Sequence, residues 1–428
     1  MDRRRSTTSF APTRALREFL TTEAAGGVLL VGAAVAALVW ANSPWRGGYE
    51  ALWRTEIGAS IGRWGLRLDL RHWVNDGLMA IFFLVVGLEV KRELLLGELR
   101  DRRRAALPVV AAVGGMAVPA LIYFALNPSG PQADGWGIPM ATDIAFAVGV
   151  LALVAPSIPS TVRLFLLTLA IVDDIGAILV IAVFYTSSLD VGWLLAAALI
   201  GTGAVVLRRL GFTATPLFVA LGVALWIAVH GSGVHATIAG VAMGLLAPAT
   251  PTLNREIVRS RTDELLDVFS PQAARQTTRM ARQAVSQLEW LEHELHGCSS
   301  LAIVPLFALA NAGVELAADG IGAAATSTLT IGVVLGLVVG KTIGIAGAAW
   351  AAIQIGVADR PEDVTWRQLV GAAALGGIGF TVSLFIAALA FDDPALVDQA
   401  KFGVLAASLL ATMLAAFLLH DRPDRTDS

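Results

Sequence analysis

Long apolar runs separated by short polar connections set the pattern of this chain. At 1.5 Å per residue, a helix of ~20 apolar residues crosses the ~30 Å hydrocarbon core of a bilayer. Twelve runs are predicted to be such helices, at 24–41, 73–90, 105–126, 137–155, 161–185, 190–207, 213–230, 233–247, 299–314, 329–353, 368–390 and 400–419. The seventh, eighth and ninth are short. The expected fold class is therefore an all-α polytopic membrane protein of about twelve transmembrane helices. Two stretches break the pattern. Trp64 to Leu70 alternates apolar and polar residues, which predicts a strand of an extracytoplasmic hairpin whose edge must be paired or protected. Residues 248–298 form the one long polar connection, rich in Arg and Gln and helical in pattern from Gln283 to His296, as for a cytoplasmic helix at the membrane interface.

Composition agrees, with 56% apolar residues, 15% charged residues and a mean hydropathy of +0.70 over 428 residues. Charge matters here by its distribution. Alternate connections on one side collect 24 of the 31 Lys and Arg residues, among them Arg3 to Arg5, Lys91, Arg92, Arg100 to Arg104, Arg208, Arg209 and the arginines from Arg255 to Arg282. The other side holds six, Arg46, Arg54, Arg63, Arg67, Arg71 and Lys401, and Lys341 lies inside a span. The positive-inside rule then makes both termini cytoplasmic and favours an even number of spans. The domain reading is a cytoplasmic segment 1–23, a transmembrane domain 24–419 containing the extracytoplasmic hairpin 42–72 and the cytoplasmic insertion 248–298, and a cytoplasmic tail 420–428. The first span is preceded by more than twenty residues and is too long for the apolar core of a signal peptide, so it is expected to be retained. The net charge of −3 points to no partner, because the signs are segregated between the two faces. No nucleic acid and no cofactor are expected.

With the single cysteine Cys298, no internal disulfide can form. His293 and His296 are three residues apart, which misses the spacing that places two imidazoles of a zinc site on one helical face. The chemistry lies in the ionisable residues within the spans. Each costs roughly 2.5–3.5 kcal/mol to insert at a helix centre, so such residues mark ion or proton pathways. Asp173 is at the midpoint of the fifth span and Lys341 at that of the tenth, so acid and base share a depth and can neutralise one another. Asp143, in Pro139-Met140-Ala141-Thr142-Asp143, is ~5 Å along the axis from the centre of the fourth span. Consecutive side chains on a helix diverge by roughly 100°, so Asp173 and Asp174 cannot face one partner. One pairs with Lys341; the other, with Asp143 and Thr142, offers hard oxygen ligands to a small cation such as Na⁺ or Li⁺. Burial and a neighbouring like charge favour the protonated acid over the carboxylate, so the site holds either a cation or protons. That competition is the minimal chemistry of an antiporter.

Glycines in the eleventh span point the same way. Gly371, Gly376, Gly377 and Gly379 weaken a helix by about 1 kcal/mol each relative to Ala, which predicts an unwound stretch. Pro139 either interrupts the fourth span or begins its helix. The two spans run in opposite directions, as the broken, crossing helices of an inverted repeat require.

Five segments carry a resemblance: Gly87-Leu88-Glu89-Val90-Lys91-Arg92-Glu93-Leu94, Ala141-Thr142-Asp143-Ile144-Ala145-Phe146-Ala147, Ala170-Ile171-Val172-Asp173-Asp174-Ile175-Gly176-Ala177-Ile178, Ser232-Gly233-Val234-His235-Ala236-Thr237 and Gly340-Lys341. In order and spacing they resemble the NhaA-type bacterial sodium/proton antiporters, for which inverted-repeat architecture is already an established example. The resemblance covers about residues 20–420. It implies an electrogenic exchanger of the bacterial inner membrane that moves more protons inward than Na⁺ or Li⁺ outward and is activated at alkaline pH. It further implies that Asp173 and Asp174 are the central carboxylates, Thr142 and Asp143 the residues at the helix crossing, and Lys341 the partner of Asp173. Glu89, His235, Glu292, His293 and His296 become candidates for pH sensing, and the hairpin resembles the family's dimer contact, so a homodimer is expected. Residues 249–290 make a longer insertion than this pattern usually carries. Two other classes can place acids in a membrane. An intramembrane aspartyl protease would want a Gly-x-Gly-Asp context, which Asp143 and Asp173 lack, and a sodium-coupled symporter would have little use for adjacent acids.

Overall fold

The computed structural model describes residues 14–61, 64–186, 189–212, 214–251, 285–315, 322 and 324–420. Each of the twelve predicted spans falls on a helix or on a bent pair of helices. In chain order these elements are α1 (Arg14–Ala41), α2 (Arg46–Trp53), the strands β1 (Glu56–Ile61) and β2 (Trp64–Asp69), α3 (Leu70–Leu95) and α4 (Arg102–Leu126). A 3₁₀ helix, α5 (Pro131–Met140), precedes α6 (Ile144–Val154), α7 (Ser160–Phe184), α8 (Val191–Arg209), α9 (Thr215–Gly231) and α10 (Thr237–Leu246). The remaining elements are α11 (287–311), α12 (Thr328–Gln354), α13 (Trp366–Leu375), α14 (Phe380–Ala390) and α15 (Pro394–Leu419).

Among the described residues, six helices, α3, α4, α7, α8, α12 and α15, are each long and apolar enough to cross a bilayer unaided. Two further spans are broken, with bends of 48° between α5 and α6 and 43° between α13 and α14. Lipid explains the outer faces. Along α8, Val191, Leu195 and Leu199 repeat every four residues at 65%, 60% and 74% exposure, an apolar stripe that hydrocarbon tolerates and water does not. Inside, the main core gathers α1, α3–α7, α11 and α12–α15, and a smaller apolar cluster joins α8, α9 and α10.

The alternating segment is the hairpin strand predicted: β1 pairs antiparallel with β2 in the register Glu56↔Asp69 to Ile61↔Trp64. Asp69 then accepts a bond from the His72 N–H (2.7 Å) and starts α3. At the opposite end of α3, cations close a helix terminus. Lys91 donates to the carbonyls of Leu245 and Ala247 (both 2.6 Å) and Arg208 to that of Leu246 (2.6 Å), satisfying the C-terminal carbonyls of α10.

Two boundaries differ from the sequence expectation for physical reasons. The ninth span is the lower part of a helix that begins at Gln287, where Ser286 and Glu289 form a capping box, so His293 and His296 belong to a continuous helix. The fourth span begins at Pro131 as a 3₁₀ helix, so Pro139 lies in the last turn of its first half and does not begin a helix. Residues 252–284, most of the predicted insertion, lie outside the described residues, as do the terminal segments 1–13 and 421–428.

Candidate functional site

Apart from Gly176, the sequence of α7 contains no helix breaker, so the helix runs unbroken through its two acids. Asp173 is 0% and Asp174 4% exposed, and their divergence gives them different surroundings. Asp173 forms an ion pair with Lys341, which is itself completely buried just after a π-helical turn, Gly336–Gly340, in α12. Asp174 faces a cavity of about 40 Å³ whose walls also include Glu89, Thr142, Asp143, His296, Ser299, Ser300 and Thr381. It accepts no hydrogen bond among the described residues, and the buried Oδ1 of Asp173 likewise has no hydrogen-bond partner.

The two broken helices cross beside this cavity. Asp143 caps both of their second halves: Oδ1 accepts from the Phe146 N–H (3.0 Å) in α6, and Oδ2 accepts from the N–H (2.9 Å) and hydroxyl (2.6 Å) of Thr381 in α14. Its own N–H donates to the Ile378 carbonyl (2.7 Å), tying one break to the other. The Thr142 hydroxyl donates to the Gly376 carbonyl (2.8 Å) past the end of α13 and accepts from the Lys341 ammonium (3.1 Å). The carboxylate thus sits between two helix N-termini, and the cation acts through Thr142 on a C-terminal carbonyl, the polarity that helix dipoles favour.

Close approach of backbones explains the glycines. A Cβ on Gly377 would collide with the Leu337 carbonyl oxygen, and one on Gly379 would meet Ser383 and, at 3.0 Å, the Ala141 carbonyl oxygen. Gly376 approaches the flexible end of Ile345, and Gly371 lies within α13 against Leu419, so it serves packing and not the break. Gly377→Ala should therefore lower thermal stability in detergent by ~1–3 kcal/mol, the usual cost of overpacking. An unchanged melting curve would contradict that tight crossing.

Three of the five pH-sensing candidates come together on facing helices. Glu89 Oε1 lies 3.4 Å from His296 Nδ1, and Glu292 Oε1 lies 2.5 Å from Arg92 Nη1. His293 is exposed and does not join them. His235 is elsewhere too, in the turn between α9 and α10 with its ring 5.7 Å from that of Phe385. Glu292 lies above the predicted ninth span. Burial pushes its carboxyl up to about 7, against the opposing pull of Arg92. Among the described residues, no group of three or more His, Cys, Asp and Glu side chains is arranged to hold a metal ion.

Sequence reasoning did not single out Thr381, Arg92, Ser299 or Ser300. Thr381 follows the glycine break, where a helix cap is needed, and Arg92 is three residues after Glu89 on the same face, so both were within reach of helix geometry.

The family described as Na⁺/H⁺ antiporter 1 matches residues 17–419. The chain is 48% identical over 415 residues to the Na⁺/H⁺ antiporter NhaA 3 of Frankia alni, covering 95% of this chain and 88% of the relative. It is 46% identical to the Na⁺/H⁺ antiporter NhaA of Rhodopirellula baltica, covering 95% and 93%, and 45% identical to the Na⁺/H⁺ antiporter NhaA 2 of Sorangium cellulosum, covering 94% and 88%. These relatives are transporters and not enzymes by name. With its apolar helices, broken crossing and near-complete match, the chain is a multi-pass membrane protein that belongs to the Na⁺/H⁺ antiporter 1 family.

Proposed function

We propose that this chain exports Na⁺ or Li⁺ from the cytoplasm in exchange for protons, with more protons moving inward than cations outward. The observation that carries this reading is Asp174, a buried carboxyl group with no hydrogen-bond donor among the described residues, facing a cavity beside a lysine–aspartate pair. An ionised Asp174 holds a cation with oxygen from Thr142 and Asp143; a protonated one does not. Asp174 and the Asp173–Lys341 pair are two titratable units beside a cavity sized for one ion, which supports a proton count above one and hence electrogenic exchange. Millimolar Na⁺ or Li⁺ added to acidified everted vesicles should alkalinise the lumen without any organic solute, with a voltage change of matching sign. Failure of both cations to do so defeats this reading, and a requirement for an organic solute would favour the symporter.

The arginine asymmetry supports a bacterial inner-membrane location with both termini cytoplasmic. The hairpin, whose residue Ile57 is 51% exposed, supports a homodimer in which a second copy covers its edge.

Regulation by pH fits the cytoplasmic ends of α3 and α11. A Glu292 carboxyl held up at about 7, above its ordinary 4.5, is protonated in the folded arrangement through the intervening range. Its stabilising effect is complete below 4.5 and is lost as the pH rises through 7, where the new charge lies beside Arg92 and Glu89. Alkalinisation thus destabilises the resting arrangement. Glu292→Gln, which keeps the group neutral, should move activation to higher pH. Activation curves within about 0.2 units of the parent, where one unit is ~1.4 kcal/mol, would place the sensor at the midplane carboxylates.

A further inference from the structure

The outer half of the first broken span, α5, has little stability of its own. Its ten residues of 3₁₀ helix exceed the three or four that such winding usually sustains, and Gly135, Gly137 and Pro139 weaken it further. Hydroxyls from neighbouring helices hold its carbonyls. Tyr123 of α4, completely buried, donates to the Gln132 carbonyl (2.7 Å), and Ser383 of α14 donates to that of Ile138 (2.7 Å). Tyr185, the residue that closes α7, makes two bonds: its hydroxyl donates to the Asp134 carbonyl (2.7 Å) and accepts from the Gly137 N–H (3.1 Å). One 3₁₀ turn would pair that carbonyl with that N–H, so the phenol bridges the turn.

Packing holds the ring in place. Trp136 of α5 stacks on Tyr185 at 6.5 Å between centroids and meets Phe184 edge-on at 5.0 Å. A Cβ on Gly137 would come within 2.6 Å of the Tyr185 hydroxyl, so glycine there admits the bridge. The placement matters because of what α7 carries. Tyr185 follows Asp174 by eleven residues, three helical turns to within about 20°, so both lie on the face of α7 turned toward α5 and α6, ~17 Å apart along the axis. Thr142 and Asp143 follow Gly137 by five and six residues. One hydroxyl therefore ties the helix bearing Asp174 to the segment bearing the other two oxygen ligands.

We propose that Tyr185 is a positioning residue for cation binding, whose hydroxyl bridge fixes the register of α7 against α5 and α6 and so the separation of Asp174 from Thr142 and Asp143. A small cation needs oxygens held at a defined distance on several sides, and a cavity of about 40 Å³ leaves little room for one wall to slide. The Tyr185 hydroxyl touches neither cation nor transferred proton. It acts through the two backbones, on affinity and not on the exchange step. Tyr123 makes the same kind of bond to α5 from α4, a helix that carries none of these ligands, so it serves stability alone.

This inference rests on the Na⁺/H⁺ exchange reading, and the parent protein in proteoliposomes tests that reading first. A parent without Na⁺-driven proton movement defeats both; with an active parent, the variants bear on Tyr185 alone. Tyr185→Phe keeps the ring and its stacking on Trp136 and loses the bridge. It should raise KM for Na⁺ about three- to tenfold with kcat within about twofold of the parent, the scale of one hydrogen bond. Tyr123→Phe should lower the melting temperature in detergent while holding KM within about twofold of the parent. An unchanged KM in Tyr185→Phe, or a fall in its kcat at constant KM, would overturn the positioning role. An equal rise of KM in Tyr123→Phe would overturn it too, by making both tyrosines general supports of α5. If Tyr185→Phe does not fold, Gly137→Ala displaces the hydroxyl from the opposite side and should raise KM by the same factor, and an unchanged KM there overturns the proposal equally.

Discussion

Asp174→Asn abolishes cation-driven proton movement. The substitution conserves shape and removes both the anionic ligand and the titratable group from the cavity wall. A unit charge ~4 Å from a cation at an effective dielectric of ~20 contributes about 4 kcal/mol, so its loss weakens cation binding on the order of a thousandfold. Transport measured as cation-induced pH change in everted vesicles should fall to background for Na⁺ and Li⁺ alike. Retained exchange in this variant would remove Asp174 from the centre of the account.

The second large effect concerns stability. Lys341 and Asp173 are completely buried and paired with each other, so Asp173→Asn leaves an ammonium in low dielectric with Thr142 as its remaining bonded partner. Breaking a buried pair from one side typically costs ~3–5 kcal/mol, whereas replacing both partners costs far less. Asp173→Asn should therefore melt well below the parent in detergent, and Asp173→Asn with Lys341→Gln should melt above the single variant. If the two losses simply add, the pair contributes no coupling energy and the ion pair does not set the stability of the crossing.

The elements named in these variants were legible in the sequence because a bilayer makes buried charge conspicuous. Asp143, Asp173, Asp174 and Lys341 stand out from apolar runs; equal depth made a pair between Lys341 and one of the adjacent acids possible, and the family resemblance, not the spacing, implied Asp173, which is the acid beside Lys341 in the structure. The glycine cluster likewise predicted a break where α13 ends at Leu375 and α14 begins at Phe380. What the sequence did not disclose depends on which residues face one another across helices. Asp143 reads as a cation ligand in one dimension, but in the fold its two oxygens also cap α6 and α14. His293 and His296 look equivalent along the chain, yet in the fold His293 is exposed while His296 is partly buried beside Glu89. The serines carried no signal, since only the fold places Ser299 and Ser300 on the cavity they share with Asp174.

Competition between a cation and protons at Asp174 is read out by cation binding measured as a function of pH. For the purified protein in detergent, the apparent Kd for Na⁺ or Li⁺ should rise at least tenfold for each unit by which the pH falls below the site's own titration, because linkage makes protons and cation displace one another. Addition of the cation to a weakly buffered sample should release protons in the same measurement. A Kd that stays constant with pH, with no proton release, would contradict the account.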